Sequence, residues 1–182
     1  MRIAIDLDNT LIKFNIFWFN KLERFGYKLC NHTRWDLQNY SEDFSIESIK
    51  LFQDFDFLKN IPLYEGVYSK LLEWHNKNYV LEIITSRNIK LKEFTIDFVK
   101  SKMPMISKVV IPDTYDKVDS LINGNYDVII DDNPLSIESA LYAKIKNIYM
   151  ISNMDTVYTY PYINEFKEKN VKIVSSINDI LI

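Results

Sequence analysis

Two pairs of aspartates could together hold a metal ion. Asp6 and Asp8 follow an apolar run at the start of the chain, and Asp131 and Asp132 follow a second apolar run. Carboxylates at the end of a buried strand need a partner, because an isolated buried charge is strongly unfavourable. A divalent cation that prefers oxygen ligands, such as Mg²⁺, would supply one. The two pairs therefore predict one magnesium site.

Six apolar, β-rich runs predict the strands that position these acids. The runs are Arg2–Ile5, Tyr79–Ile84, Lys108–Ile111, Tyr126–Ile130, Asn147–Ile151 and Val171–Val174. They are near-continuous rather than alternating, which is typical of parallel strands buried on both faces. Helix-period segments lie between them, and Asn133-Pro134 predicts a capped helix start. This alternation predicts an α/β fold with a doubly wound, mainly parallel sheet, whose ligands bind beyond the carboxyl ends of the strands.

One segment, residues 13–62, contains no convincing strand and interrupts the alternation after the first acid pair. Aromatic and leucine residues fall at helical spacing in its first part, where Gly26 is a suitable stop signal, and Ser45 could cap a second helix. We therefore divide the chain into an α/β core, residues 1–12 and 63–182, and a small helical cap, residues 13–62, inserted after the first strand.

Composition limits the classes of partner. The chain has 182 residues, which suits one domain with a modest insertion, and its formal charge of -3 argues against a nucleic-acid polymer as partner. Its one cysteine, Cys30, excludes an internal disulfide and a cysteine-rich zinc site. The sequence has no apolar run long enough to span a membrane and no signal-peptide pattern at its start. We therefore expect a cytoplasmic location.

Four short motifs resemble, in order, those of the haloacid dehalogenase (HAD) superfamily of phosphohydrolases. They are Asp6-Leu-Asp8, Thr85-Ser86-Arg87, Lys117 and Asp131-Asp132. Three segments are more narrowly similar to the cytosolic 5'(3')-deoxyribonucleotidase family. They are Ile61–Gly66, Ile84–Ser86 and Ile129–Pro134. The resemblance implies a Rossmann-like core and a magnesium-dependent phosphoric monoester hydrolase.

The aspartates carry the reaction if the resemblance holds. Asp6 would attack phosphorus and form an aspartyl-phosphate. Asp8 would protonate the leaving alkoxide and then activate the hydrolytic water, while its backbone carbonyl binds Mg²⁺. Asp6, Asp131 and Asp132 would complete the magnesium site, with Asp132 favoured over Asp131 as the direct ligand.

The other motif residues would handle the phosphate. By the same resemblance, Thr85 would donate a hydrogen bond to the transferring phosphoryl group, and Lys117 would bind its oxygens and offset the charge of Asp6. Arg87 could reach a substrate phosphate or pair with a surface acid. We prefer the pairing but keep Arg87, with Ser86, among the candidate substrate-binding residues.

Each motif has a simpler explanation when it is considered alone. An Asp-x-Asp sequence could lie in a solvated loop, and the second acid pair could belong to a helix-capping turn. Thr85 could only cap the next helix, and an isolated Lys117 would be an ordinary surface lysine. Their occurrence in order favours a phosphatase-type site. Asn9 stands where many relatives carry glycine, but asparagine tolerates left-handed backbone, so we expect the turn to survive.

The cap is expected to select the substrate. Its aromatic residues could stack on a nucleotide base, or they could form the hydrophobic core of the cap itself. Phe17 and Trp18, the rings near the acid pair in sequence, are the first candidates for base contact. Other rings of the segment are Phe14, Trp35 and Phe44.

The leading hypothesis is a phosphomonoesterase that acts on (deoxy)ribonucleoside monophosphates. The same chemistry on a sugar phosphate or another small phosphometabolite is an alternative, while the acidic composition disfavours nucleic-acid ends. A non-catalytic phosphate-binding module would be expected to have lost Asp6, Asp8 or Lys117. Relatives by this resemblance are often dimeric, so a homodimer stays an open alternative.

Overall fold

A parallel sheet forms the centre of the computed structural model, which describes residues 1–26, 54–113 and 116–182. Within these residues the strands are β1 (Arg2–Ile5), β2 (Val80–Ile84), β3 (Lys108–Val110), β4 (Val128–Asp131), β5 (Asn147–Ile151) and β6 (Lys172–Val174). All neighbours pair in parallel, in the order β3-β2-β1-β4-β5-β6. Each strand overlaps one of the predicted apolar runs, so the predicted doubly wound α/β fold is confirmed.

Helices connect these strands and cover both faces of the sheet. The described α-helices are α1 (Phe14–Arg24), α2 (Phe55–Lys59), α3 (Val67–Asn76), α4 (Lys92–Lys102), α5 (Val118–Gly124), α6 (Pro134–Tyr142) and α7 (Ile163–Glu168). Short 3₁₀ helices span Ile89–Leu91, Val157–Tyr162 and Ile177–Asp179. Among the described helices, none combines the length and the apolar character needed to cross a membrane.

The two faces of β1 belong to different hydrophobic clusters. Ile3 and Ile5 pack in one cluster with α3, whereas Ala4 packs in the other with residues of α6. Because both faces are buried, the interior positions of β1 are apolar on both faces, which explains why this run does not alternate.

The strand order reverses direction between β1 and β4. From β1 the chain builds outward through β2 and β3, and it then returns to the other side of β1 to add β4, β5 and β6. The N–H of Asp6 donates to the carbonyl of Ile130 at 2.9 Å, which joins the two strand ends directly. A switch point of this kind opens a crevice at the carboxyl ends of the strands, where both acid pairs lie.

The chain leaves and re-enters this core through two paired segments. The N–H of Lys13 donates to the Pro62 carbonyl at 3.0 Å, and the N–H of Tyr64 donates to the Leu11 carbonyl at 2.9 Å. The division into a core of residues 1–12 and 63–182 and a cap of residues 13–62 stays a prediction.

Helix α1 has the predicted position and burial pattern. Phe14, Trp18 and Leu22 form its buried face and join the cluster that contains β1. Gly26 follows the end of the helix with φ at +89°, a conformation that favours glycine. The predicted second cap helix beginning at Ser45 lies outside the described residues.

Candidate active site

The ends of three adjacent strands bring the predicted motif residues together. Asp6 follows β1, Thr85 follows β2, Asp131 is the last residue of β4, and Asp132 comes next. Lys117 lies at the start of α5. All five side chains are buried, although four of them are charged or ionisable. Their burial has to be compensated within the site.

Three carboxylates cluster at the site, and two of them contact one ammonium group. Asp6, Asp131 and Asp132 each offer an oxygen within 4.8 Å of the other two. Nζ of Lys117 lies 2.6 Å from Oδ1 of Asp6 and 2.7 Å from Oδ2 of Asp131. One lysine leaves two of three negative charges uncompensated. The donor set therefore fits a divalent cation that prefers carboxylate oxygen, such as Mg²⁺.

The same arrangement perturbs the ionisation of its members. Burial raises the pKa of Asp6 well above its usual value, Lys117 lowers it, and the neighbouring carboxylates raise it again. Burial, with the charge of Asp131, raises the pKa of Asp132 to about 7. Burial alone would lower the pKa of Lys117. The opposite effect of the charges and hydrogen bonds of Asp131 and Asp6 is larger, so the pKa of Lys117 lies above its ordinary value. The lysine therefore stays charged, whereas Asp6 and Asp132 favour protonation unless a further cation is present.

Asp131 is fixed between a charge and a helix start. While Oδ2 contacts Lys117, Oδ1 accepts the N–H of Asn133 at 2.8 Å. Asn133 in turn caps α6 by accepting the N–H of Leu135 at 3.0 Å, and Pro134 occupies the first position of the helix. The predicted Asn-Pro helix start is confirmed, and it also orients Asp131.

Asp132 is held by neutral hydroxyl groups instead. The Thr10 hydroxyl donates to Oδ1 at 2.9 Å, and the Tyr158 hydroxyl donates to Oδ2. Sequence reasoning missed both contacts. Thr10 follows the first motif closely, but nothing in its spacing indicates a contact with the second acid pair. Tyr158 lies in a 3₁₀ helix after β5, where no spacing or motif connects it with the acids.

Asp8 pairs with the second motif. Nε and Nη2 of Arg87 contact the two carboxylate oxygens of Asp8 at 2.8 and 2.7 Å. The Arg87 side chain is 2% exposed and that of Asp8 is 21% exposed. Arg87 therefore pairs with an acid, as preferred in the sequence analysis. The acid is Asp8 of the site, however, and not a separate surface residue. Contact of Ser86 and Arg87 with substrate stays a prediction.

The turn after Asp8 forms as expected. Asn9 adopts a left-handed conformation with φ at +60°, which asparagine tolerates better than most residues. The Leu7 carbonyl accepts the N–H groups of Leu11 and Ile12 at 3.0 and 3.1 Å, which closes the turn. This closure directs Thr10 toward Asp132.

The two cap candidates differ in their accessibility. Trp18 is 1% exposed and packs 4.9 Å from Phe14 in the hydrophobic core, so its burial argues against contact with a base. Phe17 is half-buried and lies 5.3 Å from Phe57. Phe17 therefore stays a candidate for substrate contact, while Trp35 and Phe44 lie outside the described residues.

Several solved structures share this fold at low sequence identity. A HAD hydrolase of family IA, variant 3, from Entamoeba histolytica is 17% identical with a TM-score of 0.64, covering 100% of this chain and 95% of that one. A candidate phosphatase from Clostridium difficile is 17% identical with a TM-score of 0.66, covering 100% and 98%. A candidate β-phosphoglucomutase from Thermotoga maritima is 15% identical with a TM-score of 0.50, covering 84% and 85%.

No protein-family model and no curated protein matches the chain. The structural likeness shows that the chain has the fold of HAD-superfamily hydrolases. This agrees with the superfamily resemblance of the four motifs. The narrower resemblance to 5'(3')-deoxyribonucleotidases gains no support from these comparisons.

Proposed function

We propose that the chain is a magnesium-dependent phosphomonoesterase of the HAD type. The observation that carries the proposal is the group of three buried carboxylates at the switch point of the sheet, two of which contact Lys117. Its excess of negative charge is unfavourable for folding, and a functional cation accounts for it better than a structural role. The fold shared with HAD hydrolases supports the same assignment.

Asp6 is the proposed nucleophile. One of its oxygens contacts Lys117, and the other is available for attack on phosphorus. In the first step an Asp6 oxygen forms a bond to phosphorus while the bond from phosphorus to the ester oxygen breaks. The product is an aspartyl-phosphate, and the leaving alkoxide takes a proton from Asp8.

In the second step Asp8 accepts a proton instead of donating one. It takes a proton from water, whose oxygen attacks phosphorus, and the bond between phosphorus and Asp6 breaks to release inorganic phosphate. Both oxygens of Asp8 accept hydrogen bonds from Arg87, and we propose that at least one of these bonds opens when Asp8 exchanges a proton with the substrate. We propose that Arg87 then contacts the substrate phosphate.

Thr85 and Lys117 are proposed to hold the phosphoryl oxygens. The Thr85 hydroxyl accepts the N–H of Arg87 at 3.4 Å, so its own hydrogen can be donated to a phosphoryl oxygen. Lys117 supplies a positive charge beside the nucleophile. Preorganised donors of this kind stabilise the charge that develops during phosphoryl transfer.

The metal would be held by Asp6, the Asp8 carbonyl and Asp132, with Asp131 beside them. Asp132 is favoured over Asp131 as the direct ligand because its hydrogen-bond donors are neutral, whereas Asp131 already contacts the Lys117 ammonium. When bound, Mg²⁺ would reduce the repulsion between the nucleophile and the phosphate dianion and fix their relative orientation.

The proposed substrate is a (deoxy)ribonucleoside monophosphate, selected by the cap of residues 13–62. A sugar phosphate is an equal second candidate, because the structural neighbours include a candidate β-phosphoglucomutase. A non-catalytic phosphate-binding module is disfavoured, since the proposed nucleophile, acid and lysine are all present.

Inorganic phosphate release tests the proposal. We expect turnover with Mg²⁺ on at least one member of a panel of ribonucleoside, deoxyribonucleoside and sugar monophosphates, and loss of turnover in excess chelator. A preference for deoxynucleotides would support the narrow substrate, and activity confined to sugar phosphates would replace it. Full turnover in excess chelator would exclude the metal role, and no turnover on the whole panel would favour the binding module.

A further inference from the structure

Asp132 is the member of the site whose orientation depends on a residue outside all four motifs. We propose that Tyr158 is a positioning residue that orients Asp132 as a metal ligand, an inference that rests on the proposed function. Tyr158 lies in the 3₁₀ helix Val157–Tyr162 and is 4% exposed. Its hydroxyl donates to Oδ2 of Asp132, opposite the Thr10 hydroxyl on Oδ1.

The direction of the Tyr158 hydrogen bond is fixed by its neighbours. The backbone N–H of Asn15 can only donate, and it donates to Oδ1 of Asn9 at 2.8 Å. The amide nitrogen of Asn9 therefore faces Tyr158 and donates to the phenol oxygen at 3.3 Å. Since that contact uses the phenol as an acceptor, its single proton is directed to Asp132.

Two hydroxyl donors define the plane of the carboxylate. A carboxylate oxygen offers about two acceptor directions, and Thr10 and Tyr158 occupy one on each oxygen of Asp132. The described residues make no other hydrogen bond to these two oxygens, so the remaining directions could accept a cation. Rotation of the carboxylate would break both contacts. A ligand held in this way loses less freedom when it binds a metal, and such supporting contacts commonly change metal affinity by about 10- to 100-fold.

The segment that carries Tyr158 is itself anchored to the two hydrogen-bonded segments through which the chain leaves and re-enters the core. Asp155 accepts a hydrogen bond from the Asn15 side chain on its carbonyl oxygen at 3.3 Å. Its carboxylate accepts the Tyr64 hydroxyl at 2.9 Å. Asn15 lies on the outgoing segment and Tyr64 on the returning one. The segment that holds Tyr158 against Asp132 is therefore bound to both the outgoing and the returning segment.

Manganese binding, measured without substrate, tests this role. The paramagnetic resonance signal of free aqueous Mn²⁺ would be titrated with the parent protein, Tyr158→Phe and Tyr160→Phe. Tyr160 is a matched control, because it lies in the same 3₁₀ helix but is 46% exposed, and its hydroxyl donates to Met154 Sδ at 3.8 Å rather than to an acid. We expect Tyr158→Phe to weaken Mn²⁺ binding by about 10- to 100-fold and Tyr160→Phe to change it by less than about twofold.

Each other outcome has a separate meaning. Parental affinity in Tyr158→Phe would overturn the inference, as would equal losses in both variants, which would indicate packing of the segment rather than the hydroxyl. No saturable Mn²⁺ binding by the parent would instead overturn the metal site under the proposed function. Thermal melting in chelator checks folding.

A second variant covers the case in which Tyr158→Phe does not fold. Asn9→Gly keeps the left-handed backbone but removes both the donor that orients the Tyr158 proton and the acceptor of the Asn15 N–H. It should weaken Mn²⁺ binding, and parental affinity in this variant would likewise overturn the inference.

Discussion

Two clusters of charged side chains, each built around a buried acid, lie near opposite ends of the sheet, and they differ in their charge balance. Near the amino ends of β1 and β4, Glu82 contacts Arg2 at 2.8 Å and accepts the Tyr126 hydroxyl. That cluster pairs one acid with one base. At the carboxyl ends, four aspartates face only Lys117 and Arg87, an excess of two negative charges among the described residues.

The difference separates a structural cluster from a functional one. A balanced, hydrogen-bonded pair keeps a buried carboxylate compatible with folding without any further partner. An unbalanced cluster costs folding free energy, and it persists where binding or catalysis requires the charge. We therefore expect changes at the amino-end cluster to alter stability alone. Changes at the carboxyl-end cluster should alter activity, and some should even increase stability.

The largest expected effect is that of Asp6→Asn. The variant removes the proposed nucleophile while keeping the shape of the side chain, so phosphate release should fall on the order of 10⁴-fold or more. The measurement is phosphate release on the substrate identified by the panel, with melting temperature as a check on folding. Asp97→Asn, an exposed change on α4, should keep parental activity. Near-parental turnover by Asp6→Asn would exclude Asp6 as the nucleophile.

A smaller effect is expected from Asp132→Asn in the absence of metal. The folded protein raises the pKa of Asp132 to about 7, whereas the unfolded chain has the ordinary value near 3.8. The raised pKa therefore contributes stability at low pH that is lost as the pH rises from about 4 to 7. Asparagine does not titrate, so at pH 8 in chelator the variant avoids a charge penalty of about 4 kcal/mol. Its amide nitrogen cannot accept one of the two hydroxyl hydrogen bonds, so the net gain in stability over the parent should be about 2 kcal/mol.

Chemical denaturation at two pH values measures this difference. The advantage of Asp132→Asn should disappear near pH 4, where the parent carboxyl is protonated in the folded state. Added Mg²⁺ at pH 8 should stabilise the parent but not the variant. A variant that is less stable than the parent at pH 8 in chelator would contradict the claim that the carboxyl-end cluster is under charge repulsion.

How much the sequence could predict differs between the sheet and the contacts of the site. The strands were predictable because strands buried on both faces are mostly apolar at successive positions, as Ile3, Ala4 and Ile5 show. The meeting of the acid pairs was predictable as well. Both pairs follow strands of one sheet, and the carboxyl ends of those strands share one edge.

The side-chain partners were not predictable in the same way. Arg87 turns toward Asp8 and Tyr158 turns toward Asp132 across 79 and 26 residues of chain, and no periodicity encodes those rotamers. Trp18 follows the helical pattern whether it packs inward or contacts a ligand. Only the packing of α1 against the core decides that it is buried. Such contacts depend on tertiary geometry rather than on local pattern.

The smallest effect, and the sharpest test of the comparison, is that of Glu82→Gln. Like Asp132→Asn, it replaces a buried acid by its amide, but here the acid is balanced by Arg2 and bonded to Tyr126. The loss of the ion pair should lower the free energy of unfolding by about 1 kcal/mol, and turnover should stay within about twofold of the parent. Denaturation and phosphate release on the same preparation measure both quantities. The same type of substitution, an acid replaced by its amide, should thus raise the stability at Asp132 and lower it at Glu82. A gain of stability in Glu82→Gln would mean that charge balance does not distinguish the two clusters.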